Sequence, residues 1–108
     1  MEPANSDIAV SDVVVSRAGR DQGEWFYVID TDDTYLFLVN GKDRPLDKPK
    51  RKKRKHVQMV LRSETRVAAK IKSGDKVLNG ELRRDLAFLA REFASEYPGR
   101  VITWLRTT

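Results

Sequence analysis

Apolar and polar positions fall into five short β-type runs followed by two helical ones. Residues 1 to 7 carry no apolar period and read as a frayed terminus. Ile8 to Arg17 contains Val10, Val13, Val14 and Val15, and this density of β-branched residues predicts a strand. Ala18 to Gly23 holds two glycines in six residues, which predicts a loop with backbone at positive φ. Glu24 to Asp30 carries Trp25, Phe26, Tyr27, Val28 and Ile29, a second strand. Thr31-Asp32-Asp33 is a polar turn, and Tyr35 to Val39 a third strand. Asn40-Gly41 is the favoured pair for a two-residue hairpin, so Tyr35–Val39 is expected to fold back on Lys42–Leu46. Pro45 limits that fourth strand to an edge or an end. Val57, Met59 and Leu61 alternate with Gln58, Val60 and Arg62 to give a fifth.

From Ser63 the period lengthens. Thr65 to Lys72 predicts a short amphipathic helix with Val67, Ala68 and Ile71 inward, closed by Gly74 as a left-handed cap. Asn79 is placed to N-cap a second helix. Along it Leu82, Leu86, Leu89, Phe93 and Tyr97 share one face. Pro98-Gly99 stops that helix, and Val101 to Leu105 forms an apolar, β-prone tail. Five short strands followed by two helices predict a mainly β fold with α: a small five-stranded β-barrel and a C-terminal helical extension. The expected boundaries are 8–62 for the barrel, 63–97 for the helices and 98–108 for the tail.

Charge adds a feature that periodicity misses. The chain of 108 residues has a net charge of +5. Seven of its 21 basic residues lie between Lys48 and Lys55; without them 14 basic residues face 16 acidic ones, a balance of −2. Basicity is therefore local, and a cluster this dense is an electrostatic footprint for a polyanion. Cations that neutralise phosphates release condensed counterions, and Pro49 keeps the start of the run extended. The same run fits a nuclear localisation pattern. No apolar face accompanies it, which argues against a membrane surface. The chain has no cysteine, which excludes disulfides and thiol catalysis and points to a reducing, intracellular setting, so a soluble protein is expected, cytoplasmic, or nuclear where its source has a nucleus. Its first residues are too polar and acidic for a signal peptide.

Val13 to Val39 alternates hydrophobic and hydrophilic residues, with Gly23 eleventh counting from Val13. This segment resembles the KOW motif, an SH3-like barrel element of several ribosomal proteins and of a transcription factor. The run from Val14 to Asp21, with Gly23, Phe26, Val28, Asn40-Gly41-Lys42 and Lys48 through Lys55-His56, is similar to KOW-domain RNA-binding proteins. Those are relatives of the archaeal and eukaryotic large-subunit ribosomal proteins of the fourteen-e type. The resemblance covers about the first sixty residues. It implies an SH3-like (KOW) barrel that binds RNA, ribosomal RNA in particular. It also implies contacts from Arg17, Arg20, Lys42, Arg44, Lys48, Lys50, Arg51, Lys52, Lys53, Arg54, Lys55 and His56, with Gly19 and Gly23 shaping the first loop. Gln22 stands where relatives often have lysine, which shifts weight toward Lys48–Lys55.

The remaining candidates are weighed singly. Phe26 and Phe37 are expected in the core. Trp25 and Tyr27, on the opposite face from Phe26, are expected under the helices rather than stacked on a base. His56 is the only histidine and cannot build an ordinary zinc site; it is either a strand-start residue or a phosphate or base contact. Asp30, Asp32 and Asp33 read as a solvated turn and Asp21 as a local turn or salt-bridge residue. Phe88 lies off the helical stripe and hints at a second contact surface. No nucleophile–base pair or metal constellation is present, so no catalysis, metal, cofactor or small-molecule substrate is expected. The expected protein is a monomeric RNA-binding, ribosome-associated, translation-related module. The alternative is an adaptor for ribosomal, transcription or translation proteins.

Overall fold

In the computed structural model, residues 5–93 are described. The β-type runs form β1 (Asp12–Ser16), β2 (Trp25–Thr31), β3 (Tyr35–Val39), β4 (Lys50–Lys53) and β5 (Val57–Arg62). Two helices follow, α1 (Arg66–Ser73) and α2 (Asn79–Phe93). Short 3-10 turns occupy Asn5–Asp7 and Arg54–His56. The five strands make one antiparallel sheet in the order β4-β3-β2-β1-β5. Tyr97 and the predicted tail 98–108, with Val101–Leu105, lie outside the described residues.

The connection from β4 to β5 dictates the shape of this sheet. The two strands are its opposite edges, yet only the turn Arg54–His56 separates them. Across a flat sheet the edges would be four strand spacings apart, about 19 Å. Four residue steps with 3-10 geometry cover only about 8 Å, and about 14 Å fully extended. The sheet must therefore curl until its edges approach. The edges do not pair with each other, so the curl is not a hydrogen-bonded closed barrel. The N-terminal turn packs on β5 and on the 54–56 turn. Arg54 Nη1 fixes it there by donating to the carbonyls of Asn5 (2.9 Å) and Ile8 (3.0 Å).

The inside of the curled sheet is buried, and so is its outer face except along β3–β4. Ile8, Val14, Phe26, Val28, Leu36, Leu38, Val57 and Met59 fill its inside. Val13, Val15, Trp25, Tyr27 and Val39 point outward and are covered by Val67 and Ala68 of α1 and by Leu82, Leu86, Leu89 and Ala90 of α2. Trp25 and Tyr27 thus lie under the helices, as expected. Ile71 and Phe93 are only partly buried against the same cluster. Tyr27 also anchors the helices through its hydroxyl, which donates to Asp85 and sits 2.8 Å from Ser63 Oγ and 3.1 Å from Thr65 Oγ1. Burial, reinforced by the Asp85 carboxylate, pushes that hydroxyl's pKa far above its ordinary value.

Three local expectations change. Ile8–Val10 precedes the first strand instead of opening it. Ala9 N donates to Asp12 Oδ2 (2.8 Å), and Ser11 adopts φ 76°, so the chain turns before β1. Asn40-Gly41 does not start a hairpin into Lys42–Leu46. The Asn40 carboxamide accepts from Lys42 N and Arg44 N, both at 2.9 Å, and closes residues 40–44 into a loop. The fourth strand is delayed to Lys50–Lys53, inside the basic run. Asn79 opens α2, but its side chain accepts from Leu46 N (2.8 Å) rather than from its own helix. Glu81 instead reaches back to Leu78 N (2.9 Å), half of a capping box. Gly74 caps α1 at φ 80° as predicted, whereas Thr65, expected as the first residue of the helix, is its N-cap and accepts from Ala68 N.

The 40–46 loop is seated on the start of α2 by Leu46 N to Asn79 Oδ1 and by Arg83 Nη1 to the Gly41 carbonyl (2.9 Å). Gly41 has φ 77°, and a Cβ there would meet the Asn79 carbonyl oxygen at 2.4 Å. Gly41→Ala is therefore expected to cost at least about 2 kcal/mol, read by denaturant unfolding, since strained backbone adds to the clash. Gly74→Ala, with φ 80° but open space around its Cβ position, should cost less.

Candidate nucleic-acid interface

The basic run is not a loose arm. It is paired along β3 with Tyr35 opposite Lys53, Leu36 opposite Lys52, Phe37 opposite Arg51 and Leu38 opposite Lys50. Side chains alternate across a strand, so this register sorts the charges. Lys50 and Lys52 share the inward face with Leu36 and Leu38. Arg51 and Lys53 share the outward face with Tyr35 and Phe37.

The inward pair has a structural partner. Lys52 is 7% exposed, and its Nζ donates to Asp21 Oδ1 (2.7 Å) and to the Ala18 carbonyl (2.7 Å). Lys50 Nζ reaches the other Asp21 oxygen at 2.8 Å. Ser16 Oγ completes the set by donating to Asp21 Oδ1 (2.7 Å). The 17–23 loop presents the carboxylate through two glycines at positive φ, Gly19 (85°) and Gly23 (94°). Gly23 N bonds the Ser16 carbonyl (2.9 Å) and Glu24 N the Asp21 carbonyl (2.9 Å). Burial alone would raise the Asp21 carboxyl, but hydrogen bonds from Lys50, Lys52 and Ser16 outweigh it and lower its pKa from 3.8 to about 2. Asp21 sits in a turn and forms salt bridges, as expected, but its partners lie some thirty residues away on β4 rather than nearby in the chain. It ties the first loop to β4 and brings Arg17 and Arg20 to the same end of the fold as the basic run.

The other candidates divide accordingly. Arg54 donates to three backbone carbonyls, those of Asn5, Ile8 and Asp32, and serves the fold. Arg17 bonds Gln58 on β5, and its own N–H takes the His56 carbonyl at 2.8 Å. His56 is half-buried in the turn before β5, as is Arg44 in the 40–46 loop. Arg20, Lys42, Lys48, Arg51, Lys53 and Lys55 are exposed. Lys50, Lys52 and Arg54 thus hold structure, whereas Lys48, Arg51, Lys53 and Lys55 face solvent along one edge.

Phe37, expected in the core, is half-buried and belongs to neither core cluster. The alternation of Leu36 and Leu38, both 0% exposed, turns it outward beside Tyr35. The Arg51 guanidinium lies 4.4 Å from the Tyr35 ring centroid, a cation–π stack. The outward face of β3–β4 therefore interleaves two aromatic rings with two cations. The sequence carried the signal for this in the period-2 pattern of 35–39.

No protein-family model matches the chain, and no curated protein matches it either. Among the described residues no group of three or more His, Cys, Asp or Glu side chains gathers, and no helix is long and apolar enough to cross a membrane.

Asp21→Asn removes the counter-charge of two lysines, one of them buried, and is expected to cost about 3 kcal/mol in urea unfolding. Adding Lys52→Met should recover part of that loss. The folded pKa of Asp21 lies below the unfolded value of about 3.9. Its stabilisation is thus complete above about pH 4 and fades as the pH falls through about 2. The wild type should lose stability across that window more steeply than Asp21→Asn.

Proposed function

We propose that this chain is a non-catalytic RNA-binding module of the SH3-like KOW kind, acting on ribosomal RNA. The observation that carries the reading is the sorting of the basic run. Asp21 pairs with both inward lysines, and β3 holds the outward cations Arg51 and Lys53 in fixed register, flanked by Lys48 and Lys55. Fixed cations on one edge form a better phosphate surface than a self-repelling flexible tract, because less ordering is needed on binding. A five-stranded sheet curled until one turn joins its edges supports the SH3-like reading. The Arg17–Gly23 loop, tied to β4, supports the KOW resemblance, in which that loop and the basic run act together. Phosphate contacts supply affinity rather than sequence choice, so recognition of RNA shape fits this edge.

The adaptor reading keeps one observation of its own. Phe88 on α2 is 47% exposed, a large ring placed where a protein partner could meet it.

Arg51→Gln, Lys53→Gln and Lys55→Gln are each expected to weaken binding to a structured ribosomal RNA fragment. Each should flatten the log–log salt slope by about 0.7 to 0.9 per lost phosphate contact. Lys52→Gln should instead lower the melting temperature. Fluorescence anisotropy over a salt series checks the first claim and thermal denaturation the second. An unchanged slope in the triple variant would refute RNA binding through this edge.

A further inference from the structure

Asp21 and the outward cations account for the basic run, but not for the two rings beside it. Tyr35 and Phe37 sit on the outward face of β3, the face that α1 and α2 cover elsewhere in the sheet. That cover reaches Val39, which is 0% exposed, and takes in neither Phe37 nor Tyr35. Half-buried aromatic rings on an uncovered sheet face need a physical reason, because helix cover would remove their apolar area from water. Their neighbours supply one. Phe37 lies opposite Arg51 on the β4 side and opposite Asp30 on the β2 side. Tyr35 lies opposite Lys53 and carries Arg51 on its ring. Cations thus border the rings on the β4 side, while the exposed carboxylate of Asp30 marks the other border.

We propose that Tyr35, Phe37 and Arg51 form a stacking platform for unpaired bases of single-stranded RNA. This inference rests on the RNA-binding reading and adds the class of RNA element bound. Bases stack on aromatic rings and on guanidinium planes alike, and every base offers a π-face. Tyr35 props the Arg51 plane from below, and a base stacks on the outer side of that plane. Phe37, one pleat along the same face, takes the next base. The phosphates run on the β4 side past Lys53 and Lys55, because Asp30 repels them from the β2 side. An apolar protein segment would bury the rings equally well, but it would leave Arg51 and Lys53 without counter-charges. A polyanion with flat apolar groups satisfies the rings and the cations together.

The test compares a short oligouridine with a blunt RNA duplex, each titrated against wild type and the double variant Tyr35→Leu/Phe37→Leu. Base–aromatic stacking is worth about 1–3 kcal/mol per base, roughly 5- to 150-fold in affinity for each ring. The double variant should therefore lose at least about tenfold for oligouridine and stay within about twofold for the duplex. The exchange variant Tyr35→Phe/Phe37→Tyr keeps both rings and should bind oligouridine like wild type, which controls for damage to β3. Equal oligouridine affinity of the leucine variant and wild type would overturn the platform while leaving duplex binding, and the RNA reading, in place. Loss by the exchange variant equal to that of the leucine variant would also overturn it. Failure of wild type to bind either RNA would overturn the RNA-binding reading itself.

Discussion

The carboxylate of Asp21 is the constraint on which the arrangement depends. It accepts Ser16 from the end of β1, Lys52 and Lys50 from β4, and it is buried where it does so. Without it, Lys52 would be a buried ammonium with only the Ala18 carbonyl as partner, a state that low-dielectric surroundings penalise by several kcal/mol. With it, four consecutive basic residues become an edge strand, a conformation that lysine-rich sequence does not favour by itself. The ion pair also decides which charges can serve a ligand. Strand alternation does the rest, turning Arg51 and Lys53 away from the carboxylate as surely as it turns Lys50 and Lys52 toward it.

A second constraint comes from chain length. A three-residue turn joining opposite edges forces the sheet to curl, and the curl creates an inside that Phe26, Val28, Leu36 and Leu38 fill. The outside of β1, β2 and part of β3 is left apolar and is covered by the helices through Trp25, Tyr27 and Val39. The helices stop short of the β3–β4 edge. The same packing that stabilises the sheet thus leaves one face open, where aromatic rings and cations lie side by side.

Much of this fold was legible because its strands follow simple periods. Tyr35–Val39 and the Leu82–Leu86–Leu89 stripe form as the pattern predicts, and Trp25 and Tyr27 are covered by helices because they alternate with Phe26. The fourth strand was not legible. Asn40-Gly41 is a strong local hairpin signal, but the Asn40 side chain satisfies Lys42 N and Arg44 N, and the loop then docks on α2 through Leu46 and Asn79. Nothing local in Lys50–Lys53 marks a strand; its pairing depends on Asp21, some thirty residues earlier, and on stacking with Tyr35. The basic run was legible as a polyanion footprint from charge alone. Its division into structural and outward cations needed the register, and so did the outward turn of Phe37, whose apolar character suggested the core. The anchoring role of Arg54 was not legible for a related reason: its partners are carbonyls, which a sequence does not display.

The most direct test of this division is lysine reactivity in the folded protein, read by mass spectrometry after brief acetylation, with and without a ribosomal RNA fragment. Lys48, Lys53 and Lys55 should modify quickly and become protected when RNA is added. Lys52, held between Asp21 and Ala18, and Lys50 beside it should modify far more slowly, and RNA should leave their rates unchanged. A Lys52 that reacts as fast as Lys53, or RNA protection that falls on Lys52 and spares Lys53 and Lys55, would contradict the account.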